Sequence, residues 1–563
     1  MQKLKRIVET DMSRRAFWAA VALVVLAKVV LSRFQMIYVW VGGAPVDDEV
    51  MFRAAQSITA GQWLGPYDWL TLSKHMFFAV WLSLCNALHL PYLAAGQLLA
   101  CGAALASALA FAPVLRRYKS RFLVFLLLAM SPAVSAVFTL RVYRDNIFPA
   151  LCMLFFAGLC GYALRCREPF KKGLPWLCLS GVGLALAWLT REDGAWLLPF
   201  AAAGGLILAI TALRDKSSGV QKLGRCAALA VPFGFLAAGV LAFSAANYAW
   251  YGVFAVSDFS SGSFAAAIGA MTRVAPAQWQ PLVSVPADVR AKLYAEVPEL
   301  APLEYWLEED EDLQNSFRNE ALGDYQSGSF YWALRKAAWY EGVYDSAPGA
   351  RAYWQAVADR INALCDSGFL ASQGGRRTGT APPIRAEYVG PVLAEGFKSL
   401  GYSLTFRGCE PYDAQNMSLL LPEDQALWEG YLGERANAAA QAGTALPYYS
   451  PLQKAVYLFL ELVRAVYAAL VPLLFAAALL VWVRQGMALL RQRRQKALPQ
   501  GRALLWALLG GLLGMALLRC FMIAFMEVAS FNIGTYAMYL STVHPLLLLF
   551  SAGAVLTAWR KNQ

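Results

Sequence analysis

Three carboxylates stand side by side at Asp47, Asp48 and Glu49, in the stretch PVDDEVMFR that follows the first long apolar run. Neighbouring like charges disfavour one another's ionisation, so such a cluster must be pulled apart or paired with cations. Two chemical roles fit: a general base that takes a proton from a hydroxyl, with Asp47 and Asp48 as its candidates, or a ligand for a divalent cation. A helix N-cap is a third reading, because an Asp at the start of EVMFRAAQSI suits the positive end of a helix. A second acidic position, Asp145 in RVYRDN, has Arg141 and Arg144 beside it. A third set comes from Arg191, Glu192 and Asp193 in TREDG. Lys74 and His75 open a further apolar stretch, and the lysine could hold a phosphate or serve as an interfacial anchor.

These groups need elements to position them. Ten apolar runs, at roughly 17–39, 91–113, 121–139, 145–165, 173–190, 194–213, 226–250, 455–483, 503–528 and 535–558, have the length expected of membrane spans. The segment 74–90, KHMFFAVWLSLCNALHL, sits at the lower limit of that length. If it does not cross, the basic loops at 116–121, 165–172, 214–225 and 484–496 and the terminal RKN join the N-terminus, with its Lys3, Lys5 and Arg6, on the cytoplasmic side. The segment therefore reads as an outer juxtamembrane helix. All three acidic sets then share the extracytoplasmic face. Arg33, Glu461, Arg464, Arg519 and Glu527 fall in the outer halves of their helices. For Arg464 and Arg519, the deeper two, a cavity holding a lipid phosphate or pyrophosphate is the natural explanation, since arginine grips phosphate oxygens bidentately. His544 reads as a hydrogen-bonded core residue.

Composition agrees with this frame. Of 563 residues, 58% are hydrophobic and 15% charged, which excludes a string of soluble domains. The net charge of +12 resides in short inter-span loops, whereas residues 252–450 carry more acidic than basic side chains. No basic soluble module is present, so no nucleic-acid partner is expected. The ten cysteines include no CxxC pair and lie mostly in apolar helices. Cys365 and Cys409 could form a disulfide in an oxidising compartment. The fold class expected is an all-α polytopic membrane protein of about ten transmembrane helices plus the outer juxtamembrane helix. Its domains are a seven-span module (1–251, with outer first loop 41–90), a mostly helical extracytoplasmic region (252–452) and three C-terminal spans (453–563). The localisation expected is the plasma (inner) membrane, multi-pass, with both termini cytoplasmic.

The pattern resembles the GT-C superfamily of membrane glycosyltransferases, of the aminoarabinose and mannosyl transferase type. Asp47-Asp48 stands at the acidic motif of the first outer loop. Arg53-Ala54-Ala55 with Gly61-Gln62-Trp63 is similar to the helix and turn that follow it, and Asp145 is similar to the second acidic position. Asn247, Tyr251 and Gly252 in NYAWYG resemble the ending of the seventh span. Lys74 stands near the family's lysine, with Lys74-His75-Met76 in place of the usual Lys-Pro-Pro. The resemblance covers residues 1–255. It implies a polyprenyl-phosphate-linked sugar donor, an acceptor hydroxyl and inversion at the anomeric carbon. Asp47 or Asp48 would act as base. Lys74, Arg144, Arg191, Arg464 and Arg519, or a divalent cation (Mg or Mn) held by Asp48 and Asp145, would receive the departing phosphate. A lipid-linked-sugar flippase needs polar residues across the whole membrane, and a scaffold or receptor needs nothing of Asp47 and Asp48.

Overall fold

A computed structural model describes residues 11–40, 45–215, 218–412, 418, 420–437, 449–495 and 500–558. The basic residues Lys3, Lys5, Arg6 and Lys496 and the terminal RKN lie outside them. The chain is an all-α polytopic membrane protein. Nine helical segments among the described residues are long and apolar enough to cross a bilayer. The helices that position the site are α1 (Arg14–Ser32), α2 (Val50–Thr59), α3 (Phe77–Ala87), α4 (Tyr92–Ala110), α5 (Tyr118–Ala129), α6 (Phe148–Ala163), α7 (Phe170–Thr190), α8 (Leu198–Arg214), α9 (Gly219–Ala228) and α10 (Val231–Tyr251). Beyond them come α11 (Gly262–Met271), α12 (Ala287–Glu296), α13 (Ser327–Tyr340), α14 (Ala347–Asp366), α15 (Val389–Thr405), α16 (Pro422–Leu432), α17 (Pro451–Arg494), α18 (Gln500–Met526) and α19 (Val543–Ala558).

The expected span at 121–139 is not one helix. It ends after 12 residues at Ala129, and a short 3₁₀ turn from Pro132 to Ser135 and a four-residue helix, Val137–Leu140, complete the path. Pro132 explains the break, because proline lacks the N–H that would continue the ladder and pushes Ser131 out of the helical region. The segment still crosses. At its start the amides of Tyr118 and Lys119 donate to Asp11, at the head of α1 (3.2 and 3.1 Å). At its end Arg141 pairs with Tyr38, past the tail of α1. By the same test, segment 74–90 stays on one face. Lys74 reaches Asp47, and just past Leu90 the Tyr92 hydroxyl donates to the Arg141 carbonyl (2.7 Å).

The opposite end of the bundle collects the basic loops. There Arg165 donates to the carbonyls of Leu109 and Ala110 (2.9 Å each), and Trp482 stacks on Trp506 with ring centres 4.7 Å apart.

Two apolar cores form. The larger unites the membrane helices. The smaller lies within residues 264–370, built on Phe264, Leu293, Tyr325, Leu334 and Trp354, with Trp69 from the first loop inserted into it. The region expected as one unit over 252–452 is thus shared between both. Phe406, Cys409, Trp428 and Leu432 belong to the membrane core, and α15 lies along α18, where the Phe521 ring occupies the space beside Gly396. Cys365 and Cys409 fall in different cores, and both are free thiols.

Candidate active site

Close helix packing sets the site's frame. α6 and α7 are antiparallel and pack through glycine. A Cβ on Gly158 would overlap the backbone of Ser180, and one on Gly183 the backbone of Phe155. Small residues let helix backbones approach in lipid, where dispersion and backbone contact replace the hydrophobic drive between helices. Because α6 begins just after Arg144-Asp145 and α7 ends just before Arg191-Glu192-Asp193, this contact brings both charged sets to one level. Arg191 Nη1 lies 3.0 and 3.2 Å from the Asp145 carboxylate. Arg144 Nη1 donates to Glu192 at 2.6 and 2.9 Å, and Glu192 also accepts the backbone N–H of His75 (2.9 Å). Arg519, from α18, joins through Asp193 (2.6 Å).

The first loop supplies the other half. Asp47 and Asp48 sit in a single π-helical turn, Pro45–Glu49, that leads into α2. The like-charge conflict between them is resolved by giving each its own cation. Asp48 is fully buried. Its carboxylate takes Arg141 Nη2 at 2.5 Å and Nε at 2.9 and 3.1 Å, and the Trp40 N–H at 3.0 Å. Asp47 keeps 28% of its side chain exposed. It accepts from Lys74 Nζ and from the Tyr143 hydroxyl (2.9 Å), with Arg141 Nη2 at 3.5 Å. Burial alone would raise the Asp47 pKa, but the charges of Lys74 and Arg141 outweigh it and hold the carboxyl well below the usual range. Glu49 is paired with Arg53 one turn on.

Tyr143 ties the two halves together, a role that its residue type alone did not signal. Its hydroxyl donates to Asp47 while accepting from Arg144 Nη2 (2.5 Å) and Lys74 (3.2 Å). Aromatic rings enclose the cations. Lys74 lies 5.3 Å from the centre of the Trp332 ring, Arg141 4.9 Å from that of Trp40, and Arg191 4.8 Å from that of Tyr539. Five cations (Lys74, Arg141, Arg144, Arg191, Arg519) face five carboxylates (Asp47, Asp48, Asp145, Glu192, Asp193). Two guanidinium donors, Arg144 Nε and Arg519 Nη2, are nevertheless buried without an acceptor among the described residues. A buried donor left unpaired is costly, and a phosphate oxygen is the strong acceptor for it.

Of the residues expected at the site, Asp47, Asp48, Lys74, Arg144, Asp145, Arg191 and Arg519 converge. Arg464 does not. It pairs with Glu461, its neighbour one turn back, and lies 3.4 Å from Glu410, on a different face of the bundle. That local acidic partner explains its depth in α17 without any ligand. The divalent cation assigned to Asp48 and Asp145 also meets a poor fit. Each carboxylate is gripped by its own guanidinium, and no group of three or more His, Cys, Asp or Glu side chains is gathered for a metal among the described residues. The turn after α2 and the end of α10 meet: Trp63 Nε1 donates to Asn247 (2.8 Å), and the Tyr251 hydroxyl donates to the Gly65 carbonyl (2.8 Å).

No protein-family model matches the chain, and no curated protein does. Among solved structures, it is similar to the crystal structure of ArnT from Cupriavidus metallidurans in the apo state. The identity is 14%, with 96% of this chain and 78% of that chain covered and a TM-score of 0.29. A second similar structure is the same protein bound to undecaprenyl phosphate, at 14% identity, 95% and 77% coverage and a TM-score of 0.27. Both are remote likenesses.

Proposed function

We propose that this chain is a glycosyltransferase of the GT-C type, moving a sugar from a polyprenyl-phosphate carrier to an acceptor hydroxyl at the extracytoplasmic face of the plasma (inner) membrane. The observation that carries the reading is a partly open first-loop carboxylate, Asp47, which faces the partly open Glu192 and Asp193 across a buried set of cations that retains two unpaired guanidinium donors. The positive-inside rule assigns the opposite end, with Arg116, Arg121, Arg165, Lys171, Lys172 and Arg225, to the cytoplasm, and hence this cluster to the exterior. A sugar already activated by its carrier phosphate needs no nucleotide, and the short described connections at the basic end, 111–117 and 164–169, suit that chemistry.

The carrier phosphate docks against Lys74, Arg144 and Arg519. Its charge competes with Asp47 for Lys74, which frees the carboxylate and lifts its basicity as substrate binds. The acceptor oxygen attacks the anomeric carbon and gives its proton to Asp47. The bond from that carbon to the phosphate oxygen breaks, the phosphate leaves with the electron pair, and the configuration inverts. Asp48 holds Arg141 in place rather than touching substrate. Of the adjacent pair, Asp47 thus carries the base role.

The test is Asp47→Asn in a deletion strain, with lipid extracts analysed by mass spectrometry and the purified protein titrated with undecaprenyl phosphate in nanodiscs. Sugar-loaded carrier should accumulate while the protein still binds the lipid. An unchanged envelope glycan profile at normal expression would remove the transferase reading.

A further inference from the structure

A run of aromatic rings leads from the surface of the 264–370 region to the acidic cluster. Tyr305 and Trp306 have ring centres 5.2 Å apart, Trp306 and Tyr340 4.6 Å, and Tyr340 and Trp339 5.3 Å. Trp339 stacks on Trp69 at 6.2 Å, Trp69 meets Trp332 edge-on at 6.2 Å, and the Trp332 ring faces Lys74. Three of the outer rings are open, Tyr305 at 54%, Trp339 at 41% and Tyr340 at 40%, with Trp306 half-buried between them, whereas Trp69 is buried inside the smaller core and Trp332 is half-buried. α13 carries three of these rings. Its Trp332, Arg335 and Trp339 recur at helical spacing on the face toward the first loop, with Arg335 donating to the Trp69 carbonyl and lying 2.7 Å from Asp258. The inner rings are thereby tied to the site rather than left as a separate patch.

We propose that the four outer rings, Tyr305, Trp306, Tyr340 and Trp339, form a saccharide-binding platform, and that the acceptor is a neutral or amine-bearing glycan laid on it with its reacting end toward Trp332 and Lys74. The identification of this glycan as the acceptor rests on the transferase reading. The platform itself does not. Aromatic faces are electron-rich and attract the weakly positive C–H face of a pyranose ring, which ordinary aliphatic surface does not. The surroundings select by charge. Glu304, Glu309, Glu311 and Asp312 are exposed close by in sequence and Trp306 Nε1 donates to Glu341 at 2.6 Å, against Lys336, whose ammonium lies 5.7 Å from the centre of the Tyr340 ring; the excess is acidic and disfavours anionic glycans and anionic lipid headgroups. That acidic excess also separates the run from a membrane-interface belt, in which exposed aromatics are accompanied by an excess of lysine and arginine.

The experiment titrates the full-length protein in nanodiscs with chitohexaose, maltohexaose and an oligogalacturonate, reading tryptophan fluorescence. Parallel samples carry brominated lipids. Saturable binding of a neutral oligosaccharide is expected. It should weaken at least about tenfold, equivalent to ~1.4 kcal/mol, in the Trp306→Ala/Tyr340→Ala double variant, and be retained in Tyr340→Phe and in Asp47→Asn. Lack of binding by both neutral probes, binding unchanged in the double variant, or preference for the oligogalacturonate overturns the proposal. Quenching of wild-type fluorescence by brominated lipid that the double variant abolishes would assign the rings to the bilayer instead. Glycan binding that persists while Asp47→Asn leaves the envelope glycans intact would keep the platform and discard the transferase.

Discussion

Asparagine substitutions at positions 47 and 48 look equivalent from the sequence and should separate sharply in the protein. Asp48 has no exposure and is the main counter-ion of Arg141, through three contacts of 2.5–3.1 Å. Asp48→Asn leaves that guanidinium buried with only Asp47, 3.5 Å away, as a charged partner. Removing one member of a buried ion pair costs about 3–5 kcal/mol. Asp47→Asn takes the paired carboxylate from buried Lys74 but has a smaller structural effect, because Asp47 itself is 28% open to water, Lys74 keeps the Tyr143 hydroxyl and the Trp332 ring, and Arg141 keeps Asp48. Its stability cost should be about 1–2 kcal/mol. The loss of rate is the larger effect, about 10²–10⁴-fold for a missing general base. Thermal unfolding in detergent, paired with the lipid-carrier assay, reads both quantities. Asp48→Asn should lower the unfolding temperature clearly more than Asp47→Asn, and Asp47→Asn should abolish transfer at near-native stability. A stable Asp48→Asn beside an unstable Asp47→Asn would refute the division of labour, as would full transfer by Asp47→Asn.

Other outcomes follow from the same geometry. Because the Asp47 carboxyl is held below its usual range, its ion pair stabilises the fold above the unfolded-state pKa of about 3.9 and loses that effect only as pH falls through the folded value. Burial and the neighbouring Asp47 charge push the Asp48 carboxyl up to about 6, so wild type takes up more protons than Asp47→Asn between pH 7 and 5. The stability gap between them in unfolding scans should hold or widen as pH falls across that interval, and a gap that shrinks would contradict the assignment. Gly158→Val should push α7 away from α6, separate Arg191 from Asp145, and lower both stability and lipid binding. Gly219→Ala, where an added Cβ meets nothing, serves as its control. Arg464→Ala removes a partly exposed pair worth under ~1 kcal/mol and should leave undecaprenyl phosphate binding unchanged, whereas Arg519→Ala strips Asp193 of a partner and should weaken it.

Much of this architecture was legible in the chain itself. Apolar runs of bilayer length and the one-sided distribution of lysine and arginine depend only on local composition, because each span must satisfy its own backbone in lipid. They established the polytopic helical class, and the same-sided placement of 74–90 followed from parity. The Pro132 break was written in the sequence too, although hydropathy averages across it. Convergence of Asp47, Asp145 and Arg191 was not readable, since it depends on which helices pack closest, and the glycines on α6 and α7 matter only once they face each other. Tertiary structure alone decided that Asp48 is a buried counter-ion and Asp47 the open carboxylate. Adjacent residues in one helical turn point in different directions, and the cations that fill those directions come from separate segments, Lys74 lying 27 residues from Asp47 and Arg141 93 residues from Asp48. It also withdrew Arg464, whose neighbour Glu461 had been visible throughout, because only the packed bundle shows which face of α17 that pair occupies.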